Sequence, residues 1–225
     1  MFTEKTISMS RPWVISIFIV LLLAWKSLAA DWYVATNGND AAAGTNWIAA
    51  KATIQAAIDA ASIADTVWVS NGLYATGGRA VYGAMTNRIA INKPVLVQSV
   101  NGPTVTIIKG GGHAGSTNGD TAVRCVYVGE NAILSGFTLT NGATRSSGDY
   151  VREQCGGGVL CEDSGVVSNC TLTGNSADGE SGGGEGGTLN NCTLTGNSAA
   201  GHGGGASGGT LNNCTLTGNS AAGHG

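Results

Sequence analysis

An eighteen-residue block occurs twice, letter for letter, in the C-terminal part of the chain, at residues 186–203 and again at 208–225. The two copies begin 22 residues apart, and Cys170, Cys192 and Cys214 mark the same interval. A fixed period of this length indicates that each repeat is one structural unit that stacks on the next. The repeat therefore constrains the fold much more tightly than it constrains the activity.

The pattern inside the repeat indicates strands on successive faces of a coil. Cys214 and Leu216 alternate with threonines, which is the period of a half-buried strand. Leu211 breaks that alternation, and the pair Asn212 and Asn213 fills the break with a residue type that tolerates a left-handed bend. The high glycine content excludes a helix here. About 22 residues per coil with strands on successive faces predicts an all-β parallel β-helix, a single-stranded solenoid.

The repeat extends upstream in a less regular form. Residues 123–137 align without a gap with residues 156–170 at an offset of 33, which leaves an 11-residue insertion around 143–155. We therefore predict coils from 65 to 225, and we expect the solenoid to be C-terminally incomplete because the chain ends inside a repeat. Charged residues are absent from Thr188 onward, as expected where a charge would stack about 4.8 Å from its own copy.

The segment before the coils has a different character. Residues 51–62 place Ile54, Ala57, Ile58 and Ala61 on one helical face. An open stack exposes strand edges at its end, and proteins normally cover such edges. We predict a short capping helix over 51–62 within an N-terminal cap at 31–64, followed by a first strand at 66–70.

The first thirty residues carry an export pattern. Basic Lys5 and Arg11 precede the apolar run 13–25, and small residues follow at Ala29 and Ala30. We predict a signal peptide at 1–30, an uncleaved N-terminal anchor being the alternative, and hence a secreted or cell-surface protein. The net charge of −3 argues against a nucleic-acid partner, and we expect a monomer that reaches a membrane only through a missing C-terminal part.

Six cysteines in an exported chain would ordinarily suggest disulfides. Three of them occupy the repeat position, where parallel side chains about 4.8 Å apart suit buried apolar packing better than bridging. One bridge remains open among Cys125, Cys155 and Cys161, with no pairing deducible.

The N-terminal residues resemble a known group. The stretches 33–40, 54–58, 65–69 and 71–74 are similar to the N-terminal cap of exported, pectate-lyase-like right-handed β-helix proteins. The later repeats, with paired glycines and the motif at 217–221, resemble those of polymorphic outer-membrane proteins. The resemblance implies a right-handed coil, and it is weak for activity because this scaffold hosts lyases, hydrolases, epimerases and adhesins alike.

The resemblance to lyases of this superfamily implies clustered carboxylates that hold calcium and a nearby Lys or Arg that acts as the base. No such catalytic motif can be matched in this chain residue by residue. Charged residues concentrate in the insertion and on its flanking coils, which include Glu162 and Asp163. Binding residues are usually carried by a loop on a rigid scaffold, so the insertion is the candidate binding region. The alternative is a solvated loop with weakly paired charges. The candidate catalytic residues are Asp120, Arg124, Asp149 and Arg152.

Asn37, Asn39 and Asp40 are candidate cation ligands in the cap loop, the alternative being a simple turn. We expect no cofactor other than calcium, if any.

Two functions fit the sequence. Identical duplicated coils favour a structural or adhesin-like binding module of the cell surface that contacts polysaccharide or another surface component, and this is the main hypothesis. The alternative is a polysaccharide-processing enzyme, lyase or hydrolase, with its site around residues 145–155.

Overall fold

The computed structural model describes residues 29–224, so nearly all of the predicted signal peptide lies outside the described residues. The helices are α1 (Ile54–Ala60) and α2 (Tyr150–Gln154). The first ten strands are β1 (Asp31–Val34), β2 (Thr66–Val69), β3 (Gly72–Tyr74), β4 (Arg79–Ala80), β5 (Thr86–Ile91), β6 (Leu96–Ser99), β7 (Thr106–Lys109), β8 (Val123–Val128), β9 (Ile133–Ser135) and β10 (Thr138–Thr140). The later strands are β11 (Val159–Cys161), β12 (Val166–Ser168), β13 (Thr171–Thr173), β14 (Ser176–Ala177), β15 (Gly184–Glu185), β16 (Thr188–Asn190), β17 (Thr193–Thr195), β18 (Ser198–Ala199), β19 (Ala206–Ser207), β20 (Thr210–Asn212), β21 (Thr215–Thr217) and β22 (Ser220–Ala221).

The strands form four sheets, each of which joins strands of successive coils along the axis of the solenoid. Sheet A has the order β1-β2-β6-β9-β12-β16-β20, and sheet B has the order β3-β7-β10-β13-β17-β21. Sheet C has the order β4-β5-β8-β11-β15-β19, and sheet D consists of β14-β18-β22. Neighbouring strands pair in parallel, except for the antiparallel pair β4 and β5. Strands one coil apart are therefore neighbours, which confirms the predicted parallel β-helix.

The pairing register follows the intervals found in the sequence. Thr171 lies opposite Thr193, which lies opposite Thr215, so the 22-residue period is one full coil. Val126 lies opposite Val159 at the 33-residue offset. The insertion is therefore an outgrowth from one coil that leaves the stacking undisturbed.

The interior consists of columns of like residues. Leu139, Leu172 and Leu194 form one fully buried column in sheet B. Cys170 and Cys192 are buried beside it, and Cys214 is half-buried in the last coil. This confirms the prediction that the cysteines of the repeat act as small apolar residues.

All six cysteines are free thiols. The disulfide that the sequence leaves open among Cys125, Cys155 and Cys161 is therefore not formed, and that expectation is wrong. Each of these sulfurs has a different environment. Cys125 donates to the Thr140 carbonyl at 3.3 Å, and Cys155 donates to the Tyr150 carbonyl at 3.2 Å. Burial raises the pKa of Cys125 and Cys161 to about 12, which keeps both as unreactive thiols.

Asparagine serves two different columns. Asn169, Asn191 and Asn213 have φ of 52°, 53° and 52°, so they are the left-handed corner residues that the sequence predicts. A second column, Asn175, Asn197 and Asn219, lies on the inside. There the Oδ1 atom of Asn197 accepts the Asn175 backbone N–H at 3.0 Å, and its Nδ2 donates to the Leu172 carbonyl at 2.9 Å. At this bend the backbone has left the sheet, and the inner asparagine side chains form the hydrogen bonds with backbone groups that a neighbouring strand would form within a sheet.

The N-terminal cap differs from the prediction in two respects. The helix spans Ile54–Ala60 rather than 51–62, because the Thr53 side chain accepts the Ala56 N–H at 3.2 Å and caps the helix there. The first strand is β1 rather than 66–70. β1 pairs in parallel with β2, and Asp65 holds it by accepting the Ala30 N–H and the Trp32 Nε1–H at 2.7 and 2.9 Å. Among the described residues, no helix is long and apolar enough to cross a membrane.

We expect Leu172→Ala to lower the free energy of unfolding by about 2–5 kcal/mol, because it opens a cavity in a fully buried column. Urea unfolding followed by circular dichroism measures the change. Leu216→Ala is the matched control, since it removes the same side chain from the same sheet where it is 46% exposed. Equal losses for the two variants would contradict column burial as the source of stability.

We expect Asn197→Ala to lower the free energy of unfolding by about 1–3 kcal/mol, because it leaves the buried Asn175 N–H without its acceptor and removes the bond to the Leu172 carbonyl. The control is Asn190→Ala, which removes an outer contact with Asn212 that water can replace. The same unfolding experiment compares the two, and an Asn190→Ala loss as large as that of Asn197→Ala would contradict the role of the inner column.

Candidate functional site

The 145–155 segment folds over the outer side of sheet C. The sequence predicts a loop here, and the structure instead has the short helix α2. Asp149 caps it by accepting the Arg152 N–H at 2.8 Å, and the Glu153 carboxylate accepts the Asp149 N–H at 2.9 Å. Such reciprocal bonds fix the first turn of a helix. The segment is thus an ordered part of the surface.

Arg124 anchors this segment from below. Its side chain is buried, and its Nη2 donates to the carbonyl oxygens of Arg152 and Cys155, both at 2.8 Å. Its Nε donates to the Gly156 carbonyl and its Nη1 donates to Asn87 Oδ1, both at 2.9 Å. Burial lowers the pKa of Arg124 to about 10, so it remains charged at neutral pH. The guanidinium therefore has a structural role, because its hydrogen bonds fix the 145–155 segment to sheet C. The sequence predicts Arg124 as a catalytic candidate instead.

Glu153 attaches the segment to the chain before β5. Its carboxylate accepts the Ala84 N–H at 2.8 Å and pairs with Arg145 Nε at 3.3 Å. The bond from the Asp149 N–H, followed by that from Ala84, lowers the pKa of Glu153. The ionised carboxylate thus forms a strong tie between residues 84 and 149.

A cluster of aromatic and charged side chains, which we call the tyrosine cluster, lies beside α2. It consists of Tyr82, Tyr127, Arg152 and Glu162. The guanidinium carbon of Arg152 lies 3.9 Å from the centroid of the Tyr82 ring. The Tyr82 and Tyr127 hydroxyls each donate to Glu162 Oε1 at 3.0 Å, with the rings 5.6 Å apart and edge to face. Tyr127 is buried, whereas Arg152 is exposed and the other two are half-buried.

Two carboxylates, which we call the glutamate pair, lie further along the same face. Glu185 Oε2 accepts a hydrogen bond from Ser181 Oγ at 2.5 Å, and Glu180 Oε2 accepts one from Ser207 Oγ at 3.1 Å. The Tyr150 hydroxyl of α2 donates to Glu180 Oε1 at 3.4 Å. Burial, with the negative charge of Glu180, raises the pKa of Glu185 above its ordinary value of 4.5.

The register of sheet C connects the two groups. Tyr127 lies opposite Leu160, Leu160 opposite Glu185, and Glu185 opposite Ser207. Tyr127 and Leu160 belong to an outer apolar cluster with Val81 and Tyr82, separate from the main core. The tyrosine cluster and the glutamate pair are therefore parts of one outer face, which we call the sheet C face.

The four predicted catalytic residues all lie in, beneath or beside the 145–155 segment, but their side chains face different partners. Arg124 meets Arg152 only at its carbonyl oxygen. Asp120 is exposed and pairs with Arg145 Nη2 at 2.9 Å. Asp149 is used as the helix cap. Arg152 alone of the four presents its side chain to the sheet C face.

The prediction from sequence omits Tyr82, Tyr127 and Glu185. A signal exists for Tyr127, because the alignment of 123–137 with 156–170 places it opposite Leu160. Glu185 lies opposite Leu160 at an interval of 25 residues, which the 22-residue period does not predict. Tyr82 belongs to a hairpin outside the repeat, and no period reveals its position.

The predicted cation ligands Asn37, Asn39 and Asp40 lie in one turn of the cap. Asp40 Oδ1 accepts the N–H groups of Ala52 and Thr53, both at 2.8 Å, and the Asn39 side chain accepts the Ala41 N–H at 2.9 Å. The turn thus supports the start of α1, and a calcium site remains a prediction. Among residues 29–224, no three His, Cys, Asp or Glu side chains group closely enough to hold a metal ion.

No protein-family model matches the chain, and no curated protein matches it in sequence. Solved structures match in fold. A pectin methylesterase from carrot has a TM-score of 0.50 at 15% identity over 84% of this chain and 53% of its own. The pectate lyase Pel9A has a TM-score of 0.49 at 17% identity over 84% and 48%, and a rhamnogalacturonan lyase has 0.45 at 14% over 86% and 51%.

The chain thus spans about half the length of these structures. At such identities the likeness concerns the fold alone, and it agrees with the parallel sheets described above. The chain has the right-handed parallel β-helix fold, in agreement with its likeness to the carrot pectin methylesterase.

Proposed function

We propose that the protein binds and hydrolyses a polysaccharide on the sheet C face. The observation that carries the proposal is the glutamate pair, in which a carboxyl of raised pKa stands beside a second carboxylate on a surface lined by aromatic rings. Titratable groups with shifted pKa values that share one surface are typical of functional sites. The solved structures of similar fold are named for pectic substrates, so polysaccharide is the ligand class to test first.

The side chains of this face suit a sugar polymer. Exposed Arg152 and Tyr150 and half-buried Tyr82 offer apolar faces bordered by hydrogen-bonding groups, and such surfaces are common in ligand sites. Glu162 and Glu180 outnumber the Arg152 cation even when Glu185 carries its proton. The excess negative charge disfavours a polyuronate and favours a neutral glycan.

The glutamate pair supplies the chemistry of glycoside hydrolysis. Glu185, whose pKa burial raises, is the general acid of the pair and donates its proton to the glycosidic oxygen as the bond to the anomeric carbon breaks. Glu180 accepts a proton from the water that attacks that carbon. One water is consumed, and each sugar end leaves with a hydroxyl group.

A structural or adhesin-like module of the cell surface is the second candidate. It is favoured by the structural roles of Arg124 and Asp149 and by the absence of charge in the described coils after Thr188. Such a module binds without cleaving, so the two candidates differ in product formation. Export to the cell surface remains a prediction for both.

We expect Glu185→Gln and Glu180→Gln to abolish release of reducing ends from the glycan that the wild type cleaves, because each removes a proton-transfer group worth about 10²–10⁴ in rate. The assay compares β-glucan, xylan, mannan and polygalacturonate, and it also records any ultraviolet-absorbing unsaturated product. Asp163→Asn is the matched control, since it removes an exposed acid one residue after Glu162.

Glycan binding without cleavage by the wild type would contradict hydrolysis and support the structural module. An unsaturated product would replace hydrolysis by a lyase reaction. Equal loss of activity in Asp163→Asn would show a general charge effect and contradict the assignment of the pair.

We expect the stability of the protein to fall as pH rises from the ordinary carboxyl value of 4.5 through the raised pKa of Glu185 in the folded state. In this window the folded protein binds more protons than the unfolded chain does, so increasing pH favours unfolding. Urea unfolding across the window should show a weaker decline for Glu185→Gln than for wild type. Identical slopes would contradict the raised pKa, and Asp163→Asn is again the control.

A further inference from the structure

We infer that a second glycan-binding site lies at the other side of the coil, on an exposed surface that we call the Trp47 shelf. Trp47, Ser70, Asn71, Val100 and Asn101 line an open depression of about 370 Å³ there. Ser70 and Asn71 follow β2, and Val100 and Asn101 follow β6, so the shelf lies at the corner where successive coils leave sheet A. It is therefore separate from the sheet C face.

The aromatic ring of the shelf is exposed but held in place. Trp47 is 45% exposed, and the Tyr33 ring packs against it edge to face with the ring centroids 4.8 Å apart. Its loop is closed by a bond from the Gly44 N–H to the Ala49 carbonyl at 2.7 Å, and the Asn46 side chain accepts the Ala49 N–H at 2.9 Å. Binding surfaces commonly combine an exposed apolar ring, held in a fixed orientation, with neighbouring polar groups. The Trp47 shelf has both.

The two asparagines provide a matched donor and acceptor. Asn101 Nδ2 donates to Asn71 Oδ1 at 2.8 Å, which orients both amides. Within the described residues no other side-chain bond uses these groups, so Asn71 Nδ2 can donate and Asn101 Oδ1 can accept. Neighbouring hydroxyls of a sugar ring, each both donor and acceptor, satisfy such a pair.

The chemistry of the shelf selects a neutral pyranose ring. None of the five lining residues carries a charge, so a charged ligand would find no partner among them. The apolar face of the sugar would lie on the indole, whose electron-rich surface attracts C–H groups. The shelf would thus hold one part of a glycan chain, independently of hydrolysis. The choice of a glycan as ligand rests in part on the proposed function.

We expect Trp47→Ala to weaken binding of a neutral hexasaccharide to the shelf by about tenfold, because the variant removes the stacking surface. Isothermal titration calorimetry of the purified protein with cellohexaose, xylohexaose and mannohexaose is the measurement, performed in the Glu185→Gln background to prevent cleavage. Asn71→Ala and Asn101→Ala should weaken binding in the same direction. Ile48→Ala is the matched control, since Ile48 is the adjacent residue, fully exposed and outside the lining set.

Unchanged binding in Trp47→Ala, or an equal loss in Ile48→Ala, would overturn the inference. Failure of every hexasaccharide to bind, with concentration-dependent self-association that Trp47→Ala removes, would overturn it in favour of a protein contact. Loss of binding in Arg152→Ala alone would leave the sheet C face as the binding site without the shelf. Loss in Trp47→Ala together with absent cleavage by wild type would support the shelf and contradict the proposed hydrolysis.

Discussion

Stacking of each coil directly on its copy is the constraint on which the rest of this structure depends. Parallel strands lie about 4.8 Å apart, so every side chain of a repeat meets the same position of the next coil. Leucines and cysteines satisfy this inside the coil, and threonines satisfy it outside. A fully charged residue such as Asp, Glu, Lys or Arg cannot be repeated at this spacing without repulsion. The charged chemistry of the protein is accordingly confined to the irregular coils before Thr188.

Asparagine solves the two problems that a coil of flat strands creates. At the corner after sheet A the chain must bend, and Asn169, Asn191 and Asn213 accept positive φ there. At the next bend, after sheet B, the backbone loses its sheet partners, and the column of Asn175, Asn197 and Asn219 replaces them through side-chain amides. One residue type thus stabilises the bend by conformation in one column and by hydrogen bonding in the other.

Chemical variety enters where the repeat is interrupted. The 11 extra residues form α2 and cover sheet C, and the buried Arg124 holds them through main-chain carbonyls. This arrangement brings Arg152 and Tyr150 from the insertion onto the same face as Tyr82 and Glu185 from the coils. A rigid stack that carries one ordered outgrowth can position such groups at low conformational cost.

The sequence alone determined the parallel stacking, the register at 22 and 33 residues, the buried cysteine column and the asparagine corners. These properties follow from periodicity, because a repeated residue must meet its copy. The environment of Arg124 was decided by tertiary structure. So were the position of Tyr82 over sheet C and the exposure of Trp47. Each of these depends on contacts between segments that are distant in sequence and outside the repeat, where no period indicates which side chains meet.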